Sequence, residues 1–60
     1  MNINIYTFKE PEEHGGQWGA TTADKPFDGI SGFDDTELGA IQEFCSALIG
    51  AIEIEMEDSK

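Results

Sequence analysis

Between Phe33 and Met56 the chain reads FDDTELGAIQEFCSALIGAIEIEM, and apolar and polar positions alternate there more regularly than anywhere else. Leu38, Ile41, Phe44, Cys45, Leu48 and Ile49 recur at three- and four-residue spacing, while Gly39, Glu43, Ser46 and Gly50 share the opposite face. This period predicts a one-sided amphipathic helix from about Asp35 to Ile49. Its start is also written in the sequence. Asp34 is a good capping residue, Glu37 stands where the third helical residue would be, and Phe33 and Leu38 have the spacing of a hydrophobic staple.

After Gly50 the period changes. Continuing the helical wheel would put Ile54 on the wet face and Glu55 on the apolar one. A period of two fits better: Ala51, Glu53, Glu55 and Glu57 alternate with Ile52, Ile54 and Met56, as in a half-buried strand with carboxylates outward. Gly50 is then the helix stop, and a C-terminal strand is expected from about Ile52 to Met56. The rival reading is one helix continuing to about Glu57, supported by the helix propensities of Ala, Glu and Met. Against it, Glu53, Glu55, Glu57 and Asp58 would crowd the negative end of the helix dipole, at a cost of about 0.3–1 kcal/mol each.

Upstream, Met1 to Phe8 alternates as a strand, with Ile3, Ile5 and Thr7 on one face and Asn2, Asn4, Tyr6 and Phe8 on the other. Lys9 to Gly16 breaks that pattern with Pro11, three glutamates and a glycine pair, so it is a loop. Gln17 to Thr22 can return as a second strand with Trp18, Ala20 and Thr22 facing one way, although Gly19 weakens it. Asp24 to Gly32 is rich in turn residues and leads into the helix cap. The expected fold is therefore α+β: one small domain spanning the 60 residues, with an N-terminal strand or hairpin, one amphipathic helix and a C-terminal strand.

A core this small is marginal without a disulfide, a metal or a partner chain. The single Cys45 forbids an internal disulfide, and its place on the apolar face suggests a buried thiol in a reducing compartment. Exposed Tyr6 and Phe8 or the terminal strand are candidate contacts with a second copy, so a homodimer is expected. No charged-then-apolar leader opens the chain and no apolar run reaches the ~18–20 residues of a membrane span, so a cytoplasmic protein is expected.

Charge changes the picture most. Thirteen acidic residues stand against Lys9, Lys25 and Lys60, giving a net charge of −10 with no arginine. Such a chain repels nucleic acid and anionic membranes, both of which are recognised by basic patches. Its partner should be basic.

Chemistry-bearing motifs are sparse. Asp24, Asp28, Gly29 and Asp35 fall at the first, fifth, sixth and twelfth places of a helix-loop-helix calcium loop. However, Pro26 occupies the third place, the last carboxylate is not the longer Glu, and no helix pattern precedes the loop. A capped acidic turn is the better reading, and calcium binding ranks third among functions. His14 lies beside Glu12 and Glu13 without a clustered ligand set, so no metal or cofactor is expected. Nothing assembles a nucleophile, base and cleft, and Cys45 has no nearby positive charge to lower its pKa, so an enzyme is not expected. Trp18 is either core or an exposed anchor, core being preferred.

Carboxylates carry the functional reading. On a strand, Glu53, Glu55 and Glu57 would stand ~6.6 Å apart, two strand rises, which is of the order of the phosphate spacing along a nucleic-acid backbone. With Asp34, Asp35, Glu37, Glu43 and Asp58 they form the candidate partner-binding set. In size, acidity and lack of arginine the chain resembles the small acidic DNA-mimic inhibitors made by bacteriophages, a likeness of composition and not of motif. The resemblance implies a non-enzymatic inhibitor that occupies the nucleic-acid-binding surface of a host enzyme such as gyrase, RNA polymerase, a nuclease or a repair enzyme. The alternative is an acidic interaction module or small accessory subunit docking on a basic partner through apolar residues.

Overall fold

The computed structural model describes residues 2–58, so Met1 of the expected first strand and Lys60 lie outside the described residues. Three short strands and one long helix follow in the order β1 (Tyr6–Lys9), β2 (Trp18–Thr21), β3 (Ser31–Asp34) and α1 (Glu37–Asp58). The strands form one antiparallel sheet in sequence order, so each is joined to the next by a simple reversal. The α+β class follows.

Register decides which side chains meet α1. Thr7, Ala20 and Gly32 are cross-strand neighbours, and so are Lys9, Trp18 and Asp34. With period two, these rows share the face that carries the helix. Fully buried Ala20 packs there against Ala40 and Phe44 of α1, with Trp18, Ile30, Ile41, Cys45 and Leu48 half-buried around them. Trp18 thus forms the rim of the core, with the Lys9 ammonium 5.8 Å from its ring centroid, within cation–π range. On the outer face, Phe8, Gly19 and Phe33 lie side by side across the strands. The Phe8 and Phe33 rings meet edge to face at 6.0 Å, and a Cβ at Gly19 would run into the Phe8 ring. The two aromatics therefore cover the glycine and hold the three strands in register.

Gly32 positions the helix. A Cβ there would lie 2.7 Å from the Glu43 carbonyl carbon and 2.8 Å from the Ala40 oxygen, with the Phe44 nitrogen nearer still. The backbone of α1 sits directly on the sheet at this point, which only glycine permits. This use of Gly32 also explains why β3 is hard to read. The segment Ser31–Asp34 has a weak strand signature because its middle position is kept free of a side chain for helix packing.

Besides the first strand, which runs from Tyr6 to Lys9 and does not include the expected residues 2–5, two expectations are corrected. The first concerns the helix start, which lies two residues later than an Asp34 cap requires. Thr36 is the cap: its hydroxyl accepts the Gly39 N–H at 3.0 Å, while the Asp34 carboxylate accepts both the Thr36 N–H at 3.1 Å and the Thr36 hydroxyl at 3.0 Å. Asp34 ends β3 and buttresses the cap from outside. The staple also dissolves, since Phe33 packs on Phe8 and Leu38 is 80% exposed.

The second correction is the C-terminal strand. Residues Ile52 to Met56 are helical, α1 continues to Asp58, and Gly50 is an interior helical residue and not a stop. The rival reading of the sequence therefore holds. Its physical reason is the short sheet. At ~1.5 Å per residue the 22 residues of α1 extend ~33 Å, whereas four-residue strands cover ~14 Å. Beyond Leu48 the helix runs past the packed core, and only Ala51 is half-buried there. Where every face meets water the wheel imposes no wet or dry side, so Ile54 and Glu55 cease to conflict. Propensity and one added backbone hydrogen bond per residue then decide the conformation.

The connections are built on local hydrogen bonds. A single 3-10 turn, Glu12–His14, sits in the β1–β2 loop, where the Glu10 N–H donates to Gln17 O at 2.8 Å. In the β2–β3 loop, Phe27 is buried and the Lys25–Pro26 bond is cis. The Asp24 carboxylate accepts the Asn4 N–H at 2.7 Å, tying the chain's start to this turn.

Candidate protein-binding surface

Helix α1 gathers six of the eight candidate carboxylates. Glu37 begins it, where the dipole favours a negative charge, and its carboxylate accepts the Thr7 hydroxyl at 2.7 Å, clamping β1 to the first turn. Asp34 is occupied by the cap, so it and Glu37 serve the fold. Asp35, Glu43, Glu53, Glu55, Glu57 and Asp58 are exposed.

The expected row of Glu53, Glu55 and Glu57 does not form, because these residues are helical. At about 100° per residue, Glu53 and Glu57 fall on one face and Glu55 on the far side of the helix. Glu53 and Glu57 are instead successive on the back of α1, ~6 Å apart along the axis, with Glu43 in the same sector ~15 Å nearer the start. Gly39, Ser46 and Gly50 fill the rest of this back face, as the sequence pattern indicates. Lys9 and Lys25, the described lysines, both lie outside α1.

A second feature is apolar and escapes the sequence reading. Leu38, Ile49, Ile52, Ile54 and Met56 are 80%, 61%, 36%, 61% and 62% exposed. Cys45, Ile49, Ile52 and Met56 follow steps of four, three and four, which places them on one stripe of the helix with Leu38 a heptad before Cys45. The stripe lies about a third of a turn from the core-facing line of Ala40, Phe44, Leu48 and Ala51. Ile54 falls on the other side. The signal was present as the heptad spacing, but assigning Ile49 to the core face and Ile52 and Met56 to a strand interior hid it.

The calcium-loop likeness has no structural counterpart. β3 occupies the eighth to eleventh places of that loop, and Asp24 is engaged by Asn4 and by the Thr22 hydroxyl at 3.4 Å. Among the described residues no group of three or more His, Cys, Asp or Glu side chains could hold a metal ion. No helix among them is long and apolar enough to cross a membrane.

Compared with protein-family models, with curated proteins and with solved structures, the chain matches none. Residues and geometry alone therefore support the functional reading.

Proposed function

We propose that this protein is a non-enzymatic acidic binding module whose partner is a basic protein surface. The observation that carries this reading is the overhanging end of α1, where exposed Ile49, Ile52 and Met56 stand among Glu53, Glu55, Glu57 and Asp58. Carboxylates around an apolar patch attract a Lys- or Arg-rich surface and reject acidic ones, and the apolar side chains supply area to bury.

Nucleic-acid mimicry is the second reading, favoured by shape and charge together. The molecule is elongated, 44 × 17 × 16 Å, with a net charge of −10, or one negative charge per ~4.4 Å of length. A duplex carries one per ~1.7 Å and each of its strands one per ~3.4 Å. The density approaches that of one strand and falls well short of a duplex, which ranks mimicry below a general acidic module.

The test is affinity capture from a bacterial lysate at low and high salt, using the parent chain and a variant with Glu43, Glu53, Glu55, Glu57 and Asp58 replaced by Gln or Asn. Retention of a basic protein by the parent, lost with salt and with the variant, is the expected result. Equal retention by both forms contradicts the reading. Displacement of the captured protein by DNA selects mimicry, and co-binding with DNA rejects it.

A further inference from the structure

We infer that the stripe formed by Cys45, Ile49, Ile52 and Met56 is the seat of a basic amphipathic helix from the partner, one that carries apolar residues at heptad spacing flanked by Lys or Arg. This rests on the acidic-module reading and deepens it by naming the shape and chemistry of what binds.

Spacing gives the shape. Steps of four, three and four, from half-buried Cys45 to exposed Ile49, Ile52 and Met56, are those of a helix that packs lengthwise on another helix, knobs into holes. The core-facing line of α1 is satisfied by the sheet through Ala40 and Phe44, and of the second line Cys45 alone packs against that core, leaving Ile49, Ile52 and Met56 outside it. Its exposed members, Ile49, Ile52 and Met56, lie on the part of α1 beyond the core, where a partner can approach without meeting the sheet.

Charge selects the occupant. With Ile49 and Met56 at one core position of the heptad and Cys45 and Ile52 at the other, Glu53 and Glu55 take the two flanking positions that contact a partner helix. A second copy carries the same net charge of −10, and among the described residues it brings no lysine or arginine to these positions, because Lys9 and Lys25 lie outside α1. A helix flanked by Lys or Arg meets both glutamates with opposite charge and covers the apolar line.

The probe is a synthetic peptide of about three heptads with leucine at the core positions and lysine at the flanking ones. Its controls are a scrambled peptide of equal charge and a glutamate-flanked counterpart. Anisotropy titration is run with the parent chain, with an Ile49→Ala/Ile52→Ala/Met56→Ala variant, with Ile54→Ala and with Glu53→Gln/Glu55→Gln/Glu57→Gln. Alanine preserves helix propensity, and circular dichroism confirms that each variant is folded. The heptad peptide should bind the parent and Ile54→Ala alike, and the triple alanine variant at least about tenfold more weakly. The scrambled and glutamate-flanked peptides should lose binding to a similar degree.

Unchanged binding by the triple alanine variant overturns the inference, as does equal binding of the scrambled peptide, which leaves charge alone. If the glutamine variant still loses binding in those cases, the acidic-module reading survives without the stripe. If it binds unchanged as well, both fail. Self-association of the parent that the triple alanine variant abolishes identifies a second copy as the occupant and also overturns the inference.

Discussion

Gly32→Ala is the substitution on which the fold's packing can be judged most severely. An added Cβ would stand 2.7 Å from the Glu43 carbonyl carbon and 2.8 Å from the Ala40 oxygen, where carbon atoms normally rest ~3.5–4.0 Å apart. These neighbours are helix backbone, so no side-chain rotation relieves the contact. Lifting α1 by ~1 Å would relieve it, but a gap of 0.5–1 Å forfeits about a quarter to a half of each dispersion contact beneath the helix. The core formed by Ala20, Ala40 and Phe44 sits at that interface. Overpacking costs about 1–3 kcal/mol when side chains can adjust, and backbone contact should bring this case to the top of that range or above. The entropic advantage of alanine over glycine in the unfolded chain, ~0.4–1 kcal/mol, has the opposite sign and is smaller. A domain of this length has a total stability of roughly 3–9 kcal/mol, so the loss is a large share of it.

Urea unfolding followed by Trp18 fluorescence and circular dichroism reads this directly. With a slope near ~1 kcal/mol/M for so small a protein, the midpoint should fall by ~2 M or more, or the variant should be unfolded from the start. Gly29→Ala is the control, since a Cβ there meets nothing within 4 Å. It should leave the midpoint nearly unchanged. A Gly32→Ala variant as stable as its parent would refute the close approach of α1 to β3.

Three other outcomes follow from the helix. Gly50→Ala should stabilise by ~0.5–1 kcal/mol, because Gly50 is an interior helical position with open space around it; destabilisation in the same unfolding assay would mark it as a left-handed stop. Thr36→Ala should cost ~0.5–2 kcal/mol by removing the cap, whereas a thermal melt unchanged from the parent would return the capping role to Asp34. Replacing Glu57 and Asp58 together by Gln and Asn should raise thermal stability at low salt, by a few tenths to ~1 kcal/mol per residue, since negative charge in the last turn of a helix opposes the dipole. The gain should shrink as salt screens it, and a stability loss would contradict a helical terminus.

The limits of the sequence reading have identifiable causes. The core-facing positions Ile41, Phe44, Cys45 and Leu48 of α1, though not Leu38 or Ile49, the inward face of Trp18, Ala20 and Thr22 and the exposure of Tyr6 and Phe8 were legible, because each depends on which side of an element meets the core. The terminal turns of α1 were misread because a wheel distinguishes wet from dry only where something covers one side. β3 was missed because Gly32 gives up its side chain to make room for helix backbone. The capping residue was misplaced because Asp34 and Thr36 both have capping chemistry, and the end of β3 decides between them. At the binding surface, the acidic residues were legible as a charge but not as an arrangement. The apolar stripe between them emerges only when Cys45 and Met56 are seen to share one helix.

The central claim is that this uncovered end of α1, with its stripe and flanking carboxylates, is the binding surface. Amide-resolved NMR titration of the chain with the lysine-flanked heptad peptide tests it most directly. The expected result is helical chemical shifts through Glu57 in the free protein, with peptide-induced changes centred on Cys45, Ile49, Ile52, Glu53, Glu55 and Met56. Changes centred on Tyr6, Phe8 and Phe33 of the outer sheet face, or strand shifts between Ile52 and Met56, would contradict it.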